Sequence, residues 1–210
     1  MKTMHLFAGA GGGLLGDLIL GHEPIIAVEW DRYACQVLRE RAADGWFPGL
    51  QVWEGDVRLF DPSEYAGKVD CIHAGFPCQD ISVAGKQAGV GEETRSGLYR
   101  EVLRISRVVR PRYLFLENVS AIVTNGLGTV LGDLAALGYD SEWLCLRASD
   151  CGANHHRDRW WLLAHSRSSW VHKRWGFDGA RPDVRFVGGN EWDGISGREE
   201  KEGKIGRAHV

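Results

Sequence analysis

Residues 7–16 read FAGAGGGLLG, and this glycine-rich stretch decides how the fold is interpreted. It overlaps the end of the apolar run MHLFA at 4–8, which has the length of a strand, and the start of the helical pattern GGGLLGDLILG at 11–21. Glycines between a strand and a helix let backbone N–H groups approach a ligand closely. The turn alone is a weak signal, because a tight strand-to-helix connection also favours glycine.

The same alternation of strand and helix patterns continues through the first three quarters of the chain. Further runs of strand length are IIAVEW (25–30), QVW (51–53), VDCIHAG (69–75), RYLFLEN (112–118), SEWLCLRA (141–148) and RWWLLA (159–164). Helical patterns between them are DRYACQVLRERAA (31–43), SGLYREVLRISRVV (96–109) and LGTVLGDLAALG (127–138). The order predicts an α/β fold with a mostly parallel sheet and helices on both faces. Ligands of such sheets bind beyond the carboxyl ends of the strands.

Composition sets limits on the class of protein. The chain has 210 residues, of which 44% are hydrophobic and 25% charged, as in ordinary globular proteins. It shows no apolar stretch of membrane-spanning length and no signal peptide at its start, so we expect a cytoplasmic protein. Five cysteines without a C-x-x-C spacing indicate neither a disulfide framework nor a zinc site. The net charge of −3 requires that any nucleic-acid binding uses local patches.

Three residues beyond the glycines strengthen the signal for a nucleotide-like cofactor. Glu29 ends the next apolar run, 17 residues after Gly12, which is near the spacing of about 20 residues at which an acid binds ribose hydroxyls. Trp30 offers a stacking face, and Asp56 follows QVW in the segment EGDV. Together they predict binding of an adenosine moiety without specifying the cofactor.

Cys78 follows Pro77 directly, where the run VDCIHAG gives way to a polar loop. Proline fixes its own φ and biases Phe76 toward an extended conformation, so the thiol is held at the rim of the sheet. A free thiol is mostly protonated at neutral pH and needs a nearby cation to become a good nucleophile. Arg157 and Arg159 in HHRDRWW are candidates for that cation.

The other cysteines have a different sequence context. Cys35, Cys71 and Cys145 lie within helix or strand patterns, so we expect them to serve packing. Cys151 adjoins a polar cluster and stays open. Because no second cluster completes a site with Cys151, His155 and His156, we expect no metal.

The segments FAGAGGG, EWD, GDV, GFPCQDIS, ENV and RDR occur in this order between residues 4 and 165. They resemble the motifs of the DNA (cytosine-5) methyltransferase family, and the combination of PCQ at one strand end with ENV at the next is specific. The resemblance implies a Rossmann-like, S-adenosylmethionine-dependent methyltransferase fold without a metal. It also implies a double-stranded DNA substrate with a flipped-out cytosine, a possible partner endonuclease, and a monomer.

The resemblance assigns site residues by motif. The implied cofactor-binding residues are Phe7, Gly9, Gly11, Gly12, Glu29, Trp30, Asp56, Val57 and Leu98. The implied catalytic residues are Cys78, Glu117, Arg157 and Arg159. The implied substrate-binding residues are Pro77, Gln79, Ser82 and Asn118. In the family pattern the cysteine attacks carbon 6 of cytosine, the glutamate acts at ring nitrogen 3, and the last arginine contacts the carbonyl oxygen; the asparagine is expected to brace the turn.

The chain departs from the family pattern in two places. GANHHRDR replaces the usual G-x-P-Q-x-R-x-R, so Asn154 and His155 stand where proline and glutamine are usual. Residues 1–165 are expected to form the catalytic domain, and 166–210 an irregular linker or the start of a truncated recognition region. The last six residues, IGRAHV, resemble a translated sequencing adapter. No recognition domain or GNAV-like segment is found, so weak or undetectable activity is expected from this chain alone.

Three alternatives to an active DNA methyltransferase stay open. A tRNA cytosine-5 methyltransferase uses the same chemistry, although its characteristic CFT is not present here. A catalytically silent module would bind the cofactor or nucleic acid only. The segment GAGGG taken alone would also fit a dinucleotide oxidoreductase. The presence of both PCQ and ENV argues against that function.

Overall fold

The computed structural model describes residues 1–77 and 97–167 and the backbone of residues 206–208. The strands described are β1 Lys2–Leu6, β2 Glu23–Glu29, β3 Gln51–Glu54, β4 Cys71–Gly75, β5 Tyr113–Val119, β6 Tyr139–Arg147, β7 Asp158–Ser166 and β8 Gly206–Ala208. The α-helices described are α1 Gly12–Ile19, α2 Arg32–Ala43, α3 Gly97–Val109, α4 Ile122–Asn125 and α5 Leu127–Ala136. Short 3₁₀ turns cover Val57–Leu59, Ser63–Tyr65 and Ala148–Cys151.

The described strands form one sheet in the order β3-β2-β1-β4-β5-β7-β6-β8. Strands β1 to β5 pair in parallel, whereas β7 runs antiparallel to β5 and β6, and β8 runs antiparallel to β6. The expectation of a mostly parallel sheet is confirmed, and each of the seven strands and four helices read from the sequence is present. The short helix α4 and the three-residue strand β8 were not predicted.

Helices cover both faces of the sheet because successive side chains of the central strands point in opposite directions. Ile26 and Val28 of β2 belong to the large core cluster, which also contains buried residues of α3 and α5. Ala27, between them, joins a smaller cluster with Leu14 of α1 and Leu38 of α2. A strand that is buried on both faces reads as a continuous apolar run, which is the pattern that the sequence shows.

Local signals explain where the helices begin and end. The Asp31 side chain caps α2 by accepting a hydrogen bond from the Ala34 backbone N–H at 2.8 Å. Helix α5 buries Val130 and Leu134, and Gly138 directly follows its last turn with φ of 85°. That left-handed conformation favours glycine, so Gly138 is the stop predicted from the sequence. In the described part of the chain, the helices are all too short or too polar to cross a membrane.

Candidate active site

The turn after β1 has the backbone that its glycines require. Phe7, Gly9 and Gly11 have φ values of 57°, 54° and 97°. A Cβ atom on Gly11 would lie 2.9 Å from Cδ2 of Leu38, so both the conformation and the packing require glycine there. Phe7 has a side chain and still adopts the left-handed region, which is uncommon and concentrates at functional sites. The turn therefore holds a defined, partly strained shape at the carboxyl end of β1.

Glu29 ties the glycine-rich turn to the end of β2. One carboxylate oxygen accepts a hydrogen bond from the Gly9 backbone N–H at 2.7 Å. The other oxygen accepts from the backbone N–H groups of Trp30 at 2.9 Å and Asp31 at 2.8 Å. This carboxylate is fixed in place by three backbone donors, at the strand end where the sequence predicts a ribose-binding acid.

Asp56 lies beyond the next strand, β3, as the N-cap of the turn Val57–Leu59. Its carboxylate accepts from the Arg58 backbone N–H at 3.0 Å and forms an ion pair with the Arg58 guanidinium. The hydrogen bond from the Arg58 side chain is the main reason that the pKa of Asp56 lies below its usual value. Asp56 is therefore ionised at neutral pH and is an acceptor for a donor on a bound ligand.

The residues at these three strand ends fit an adenosine-containing cofactor. Carboxylates of Glu29 and Asp56 supply acceptors for hydroxyl and amino groups, and the ring of Trp30, 70% exposed, supplies a stacking face. Leu98, in the first turn of α3, packs against the large core cluster with its side chain partly buried. The cofactor residues expected from the sequence therefore lie where such a ligand would need them, and their role stays a prediction.

Arg104 has a role that the sequence did not reveal. Its guanidinium donates to the backbone carbonyls of Val57 and Phe60, at 3.0 Å each, and binds Glu101 at 2.5 Å. Its side chain therefore fastens α3 to the turn that carries Asp56.

Glu117 and Arg159 form the second part of the site. Cys71–Gly75 of β4 pairs with β5 so that Gly75 faces Glu117, and β7 pairs with β5 so that Arg159 faces Val119. The Arg159 Nε atom lies 2.7 Å from Oε1 of Glu117, and the two side chains are 20% and 27% exposed. The structure therefore brings together an acid and a cation that are 42 residues apart in the sequence, and leaves both accessible.

Gly75 has a packing role beside Glu117 that the sequence analysis missed. A Cβ atom at this position would lie 3.2 Å from Oε2 of Glu117, which is closer than most real contacts. Glycine at the last position of β4 thus leaves room for the acid beside it. A glycine at a strand end before Phe-Pro-Cys carries no signal that distinguishes this role from an ordinary strand terminus.

Replacing Gly75 with alanine is expected to displace the Glu117 carboxyl by a few tenths of an ångström. Since small misplacements of catalytic groups are costly, we expect single-turnover methyl transfer to fall about 10-fold. Binding of S-adenosylhomocysteine, measured by calorimetry, is expected to stay within about twofold, because the residues expected to bind that cofactor lie mainly at the ends of β1 to β3. Gly128→Ala is the matched control, since a Cβ atom there meets nothing within 4 Å.

Asn118 and Phe76 anchor the chain where it leaves β4. Asn118, 3% exposed, donates from Nδ2 to the Phe76 carbonyl at 3.0 Å and accepts from the Val119 N–H at 2.8 Å. The Phe76 ring packs against Tyr99 with centroids 5.1 Å apart. These contacts are of the bracing kind expected for Asn118, and they fix the strand end that leads to the exposed Pro77. Cys78, Gln79 and Ser82 lie outside the described residues.

The described cysteines differ in exposure and in pKa. Cys35 and Cys71 are buried, and burial raises the pKa of both thiols above the usual value. Burial also raises the pKa of Cys145, which is partly buried, whereas Cys151 is exposed. The first three thiols are protonated and packed at neutral pH, as a structural role requires.

The late motif lies on an exposed turn before β7. Asn154, His155, His156 and Arg157 are exposed, and Arg157 has φ of 21°. The Ala148 N–H donates to the carbonyls of His156 at 2.9 Å and Arg157 at 3.3 Å, which holds this turn against the end of β6. Of the two arginines in RDR, the structure brings Arg159 to Glu117 and leaves Arg157 facing solvent.

The fold and the site define a class of protein: a Rossmann-like α/β domain with carboxylates fixed at its strand ends beside an acid–arginine pair. The family model for C-5 cytosine-specific DNA methylase matches residues 1–181. The chain belongs to that family, as its motifs suggested.

The curated relatives agree with this family assignment, although the chain matches only part of each relative. The Type II methyltransferase M.CviJI of Paramecium bursaria Chlorella virus IL3A is 36% identical over 167 residues, which are 78% of this chain and 42% of that protein. M.NgoBI of Neisseria gonorrhoeae, also a Type II methyltransferase, is 35% identical, and the match covers 79% of this chain and 50% of that protein. The chain spans about half the length of the curated relatives it matches.

A solved structure supports the fold. The Dnmt2 methyltransferase of S. pombe superposes with a TM-score of 0.63 at 16% identity, over 80% of this chain and 50% of the other. At that identity the likeness concerns the arrangement of strands and helices. It therefore confirms the Rossmann-like methyltransferase fold.

Proposed function

We propose that this protein transfers a methyl group from S-adenosylmethionine to carbon 5 of cytosine in double-stranded DNA. The observation that carries the proposal is the Glu117–Arg159 pair, with Nε and Oε1 2.7 Å apart, at the same edge of the sheet as the fixed Glu29 carboxylate. One half of the site holds a nucleoside, and the other half holds a proton donor with its orienting cation. The naming of its relatives as Type II methyltransferases supports the same reaction.

In this mechanism the target base leaves the duplex, at a cost of about a few kcal/mol of pairing and stacking. The Cys78 sulfur forms a bond to carbon 6, and Glu117 donates a proton to ring nitrogen 3, so carbon 5 gains electron density. S-adenosylmethionine, when bound, supplies the electrophilic methyl group. Removal of the carbon 5 proton by a base, return of the nitrogen 3 proton to Glu117 and departure of the Cys78 sulfur as thiolate then restore the aromatic ring.

Arg159 has two tasks in this proposal. It holds the Glu117 carboxyl at one oxygen, which leaves the other oxygen beside Gly75 for the base. Its remaining guanidinium N–H groups are donors for the cytosine carbonyl oxygen, where negative charge also develops. Pro77, Gln79, Ser82 and Arg157 complete the proposed contacts with the flipped nucleotide or with Cys78.

The wider assignments belong to the same proposal. Residues 1–165 act as the catalytic domain, to whose sheet the strand β8 at 206–208 is added. The rest of 166–210 is a linker or the start of a recognition region. The protein works on DNA in the cytoplasm as a monomer, and its relatives' Type II naming favours a partner endonuclease. The alternative of a tRNA substrate keeps the same catalytic residues, so only the substrate distinguishes it.

The experiment uses labelled S-adenosylmethionine with duplex DNA and, separately, with bulk tRNA. The nucleic acids are digested to nucleosides, and the methylated product is identified by mass spectrometry. We expect 5-methyl-2′-deoxycytidine from DNA. Methylation confined to tRNA would show that the substrate is RNA, and methylation of another atom would overturn the proposal.

Calorimetry distinguishes the two remaining alternatives. A module that only binds the cofactor is expected to bind S-adenosylhomocysteine, whereas an oxidoreductase is expected to bind NAD.

A further inference from the structure

A buried carboxylate surrounded by histidines lies behind the glycine-rich turn. Asp17 of α1 is 0% exposed. Its Oδ2 atom lies 2.7 Å from Nε2 of His5 and accepts from the Thr3 hydroxyl at 2.5 Å. Its Oδ1 atom lies 3.1 Å from Nδ1 of His22 and 3.5 Å from Nε2 of His73. Three histidines from three different segments thus converge on one carboxylate.

This cluster contains more buried polar side chains than the folding of helix α1 requires. A buried carboxylate is costly unless it is compensated, and each added imidazole must also give up water. Hydrogen bonds from His5 and Thr3 compensate the burial of the Asp17 carboxylate, and His73, 3.5 Å away, adds a second imidazole beyond those bonds. The cluster therefore offers one carboxylate and two imidazole rings whose ligand atoms lie close to one another.

The ligand atoms have the spacing of a metal site. One ligand atom each from His5, Asp17 and His73 lies within 4.8 Å of the other two. Ligands about 2.0–2.1 Å from a tetrahedral ion are about 3.4 Å from one another. The separation of 3.5 Å between His73 Nε2 and Asp17 Oδ1 fits this value. His5 Nε2 lies 2.7 Å from the other carboxylate oxygen, Oδ2, so His5 and Asp17 would have to separate by about 0.7 Å to hold the same ion.

We propose that His5, Asp17 and His73 bind a divalent first-row transition metal ion such as Zn²⁺. Two imidazole nitrogens with one carboxylate suit zinc and its neighbours, whereas Mg²⁺ and Ca²⁺ prefer sites made of oxygen ligands. His22, which also contacts the Asp17 carboxylate, is an orienting neighbour of the kind that tunes metal ligands. The histidines weighed for a metal from the sequence, His155 and His156, lie elsewhere on the exposed turn before β7.

The site has an entry path and an open coordination position. His73 is 17% exposed, and His73 and Asp17 line an open groove of about 420 Å³. The other walls of that groove are mainly apolar, formed by Phe115, Trp161 and Leu163 among others. An ion held by the three side chains would complete its coordination with a water molecule on the groove side.

The position of the site indicates what the ion does. His5 belongs to β1, Asp17 to α1 and His73 to β4, so one ion would join all three elements behind the cofactor turn. His73 precedes Gly75 by two residues, about 7 Å along the strand. Methyl transfer in this family requires no metal. The ion is therefore structural, and the proposal stands whether or not the chain methylates DNA.

The test is calorimetry with Zn²⁺ on protein that has been stripped with a chelator and dialysed. We expect one equivalent to bind, with affinity at least about 100-fold lower in His73→Gln, and no saturable binding of Mg²⁺. His155→Gln removes an exposed histidine and serves as the matched control; its stoichiometry and affinity are expected to equal those of the wild type. Absence of saturable Zn²⁺ binding, or equal binding by His73→Gln, would show that the cluster is only a hydrogen-bonded network.

A second measurement covers the case in which His73→Gln does not fold. Co²⁺ added to the stripped wild-type protein is expected to give the intense visible absorption of a four-coordinate ion with nitrogen and oxygen ligands. Zn²⁺ should displace it in a ratio of one to one. The weak spectrum of hydrated Co²⁺ would overturn the proposal without any variant.

Discussion

Glu117→Gln is expected to lower the rate of methyl transfer by about 10²–10⁴-fold, the usual contribution of a general acid. The amide has nearly the shape of the carboxyl and retains an oxygen that can accept from Arg159 Nε, which lies 2.7 Å from Oε1 in the wild type. It cannot give a proton to cytosine nitrogen 3. The loss is therefore chemical, and it appears in the single-turnover rate rather than in substrate affinity.

Two measurements separate this loss from misfolding. The midpoint of urea unfolding and the affinity for S-adenosylhomocysteine are expected to stay near the wild-type values in Glu117→Gln. Glu64→Gln, which removes one carboxylate from an exposed 3₁₀ turn, is the control for charge and is expected to leave the rate unchanged. A Glu117→Gln protein with the wild-type single-turnover rate would show that another group protonates the base.

Glu29→Ala is expected to weaken binding of S-adenosylhomocysteine by about 10- to 100-fold, because a hydrogen bond to a charged group contributes about 1.5–3 kcal/mol. The substitution removes the proposed acceptor for the ribose hydroxyls. It also releases the Gly9 N–H, held at 2.7 Å, so the glycine-rich turn loses its tie to β2. Calorimetry measures the affinity for S-adenosylhomocysteine. Urea unfolding measures the loss of stability that results from releasing the glycine-rich turn.

Glu54→Ala is the matched control for that prediction. Glu54 ends β3 and pairs with Glu29 in register, but its side chain binds Arg39 on the surface at 2.6 Å. Surface ion pairs contribute about 0–1 kcal/mol, so we expect less than about a threefold change in cofactor affinity. Equal losses in the two variants would show that charge near the sheet end, rather than the Glu29 contacts, determines binding.

The sheet is predictable from sequence because its strands are buried on both faces. Ile26, Ala27 and Val28 are each at most 2% exposed, and such a run has few interpretations other than a central strand. The strand-end residues follow from the same logic, since parallel strands direct their carboxyl ends to one edge. This logic predicts Glu29 at that edge, and the family resemblance adds Glu117 at the end of another strand.

Contacts that depend on three-dimensional packing were not predictable. His5, Asp17 and His73 belong to three different elements, and each fits a strand or helix pattern as a single polar residue. Arg104 lies among several arginines of α3, and only the packing of that helix on the turn Val57–Leu59 selects it. Gly75 matters because the register of β4 with β5 sets it against Glu117. Periodicity and motif order contain none of this information.

The most direct test of the central claim is covalent trapping on DNA that contains 5-fluorocytosine, in the presence of S-adenosylmethionine. Fluorine at carbon 5 cannot leave as a proton does, so a single turnover stops at the adduct and even slow transfer accumulates product. We expect the intact mass of protein plus DNA plus one methyl group, and no adduct with Cys78→Ala. A wild-type chain that forms no adduct while binding S-adenosylhomocysteine and DNA, or an adduct that persists in Cys78→Ala, would contradict the proposed mechanism.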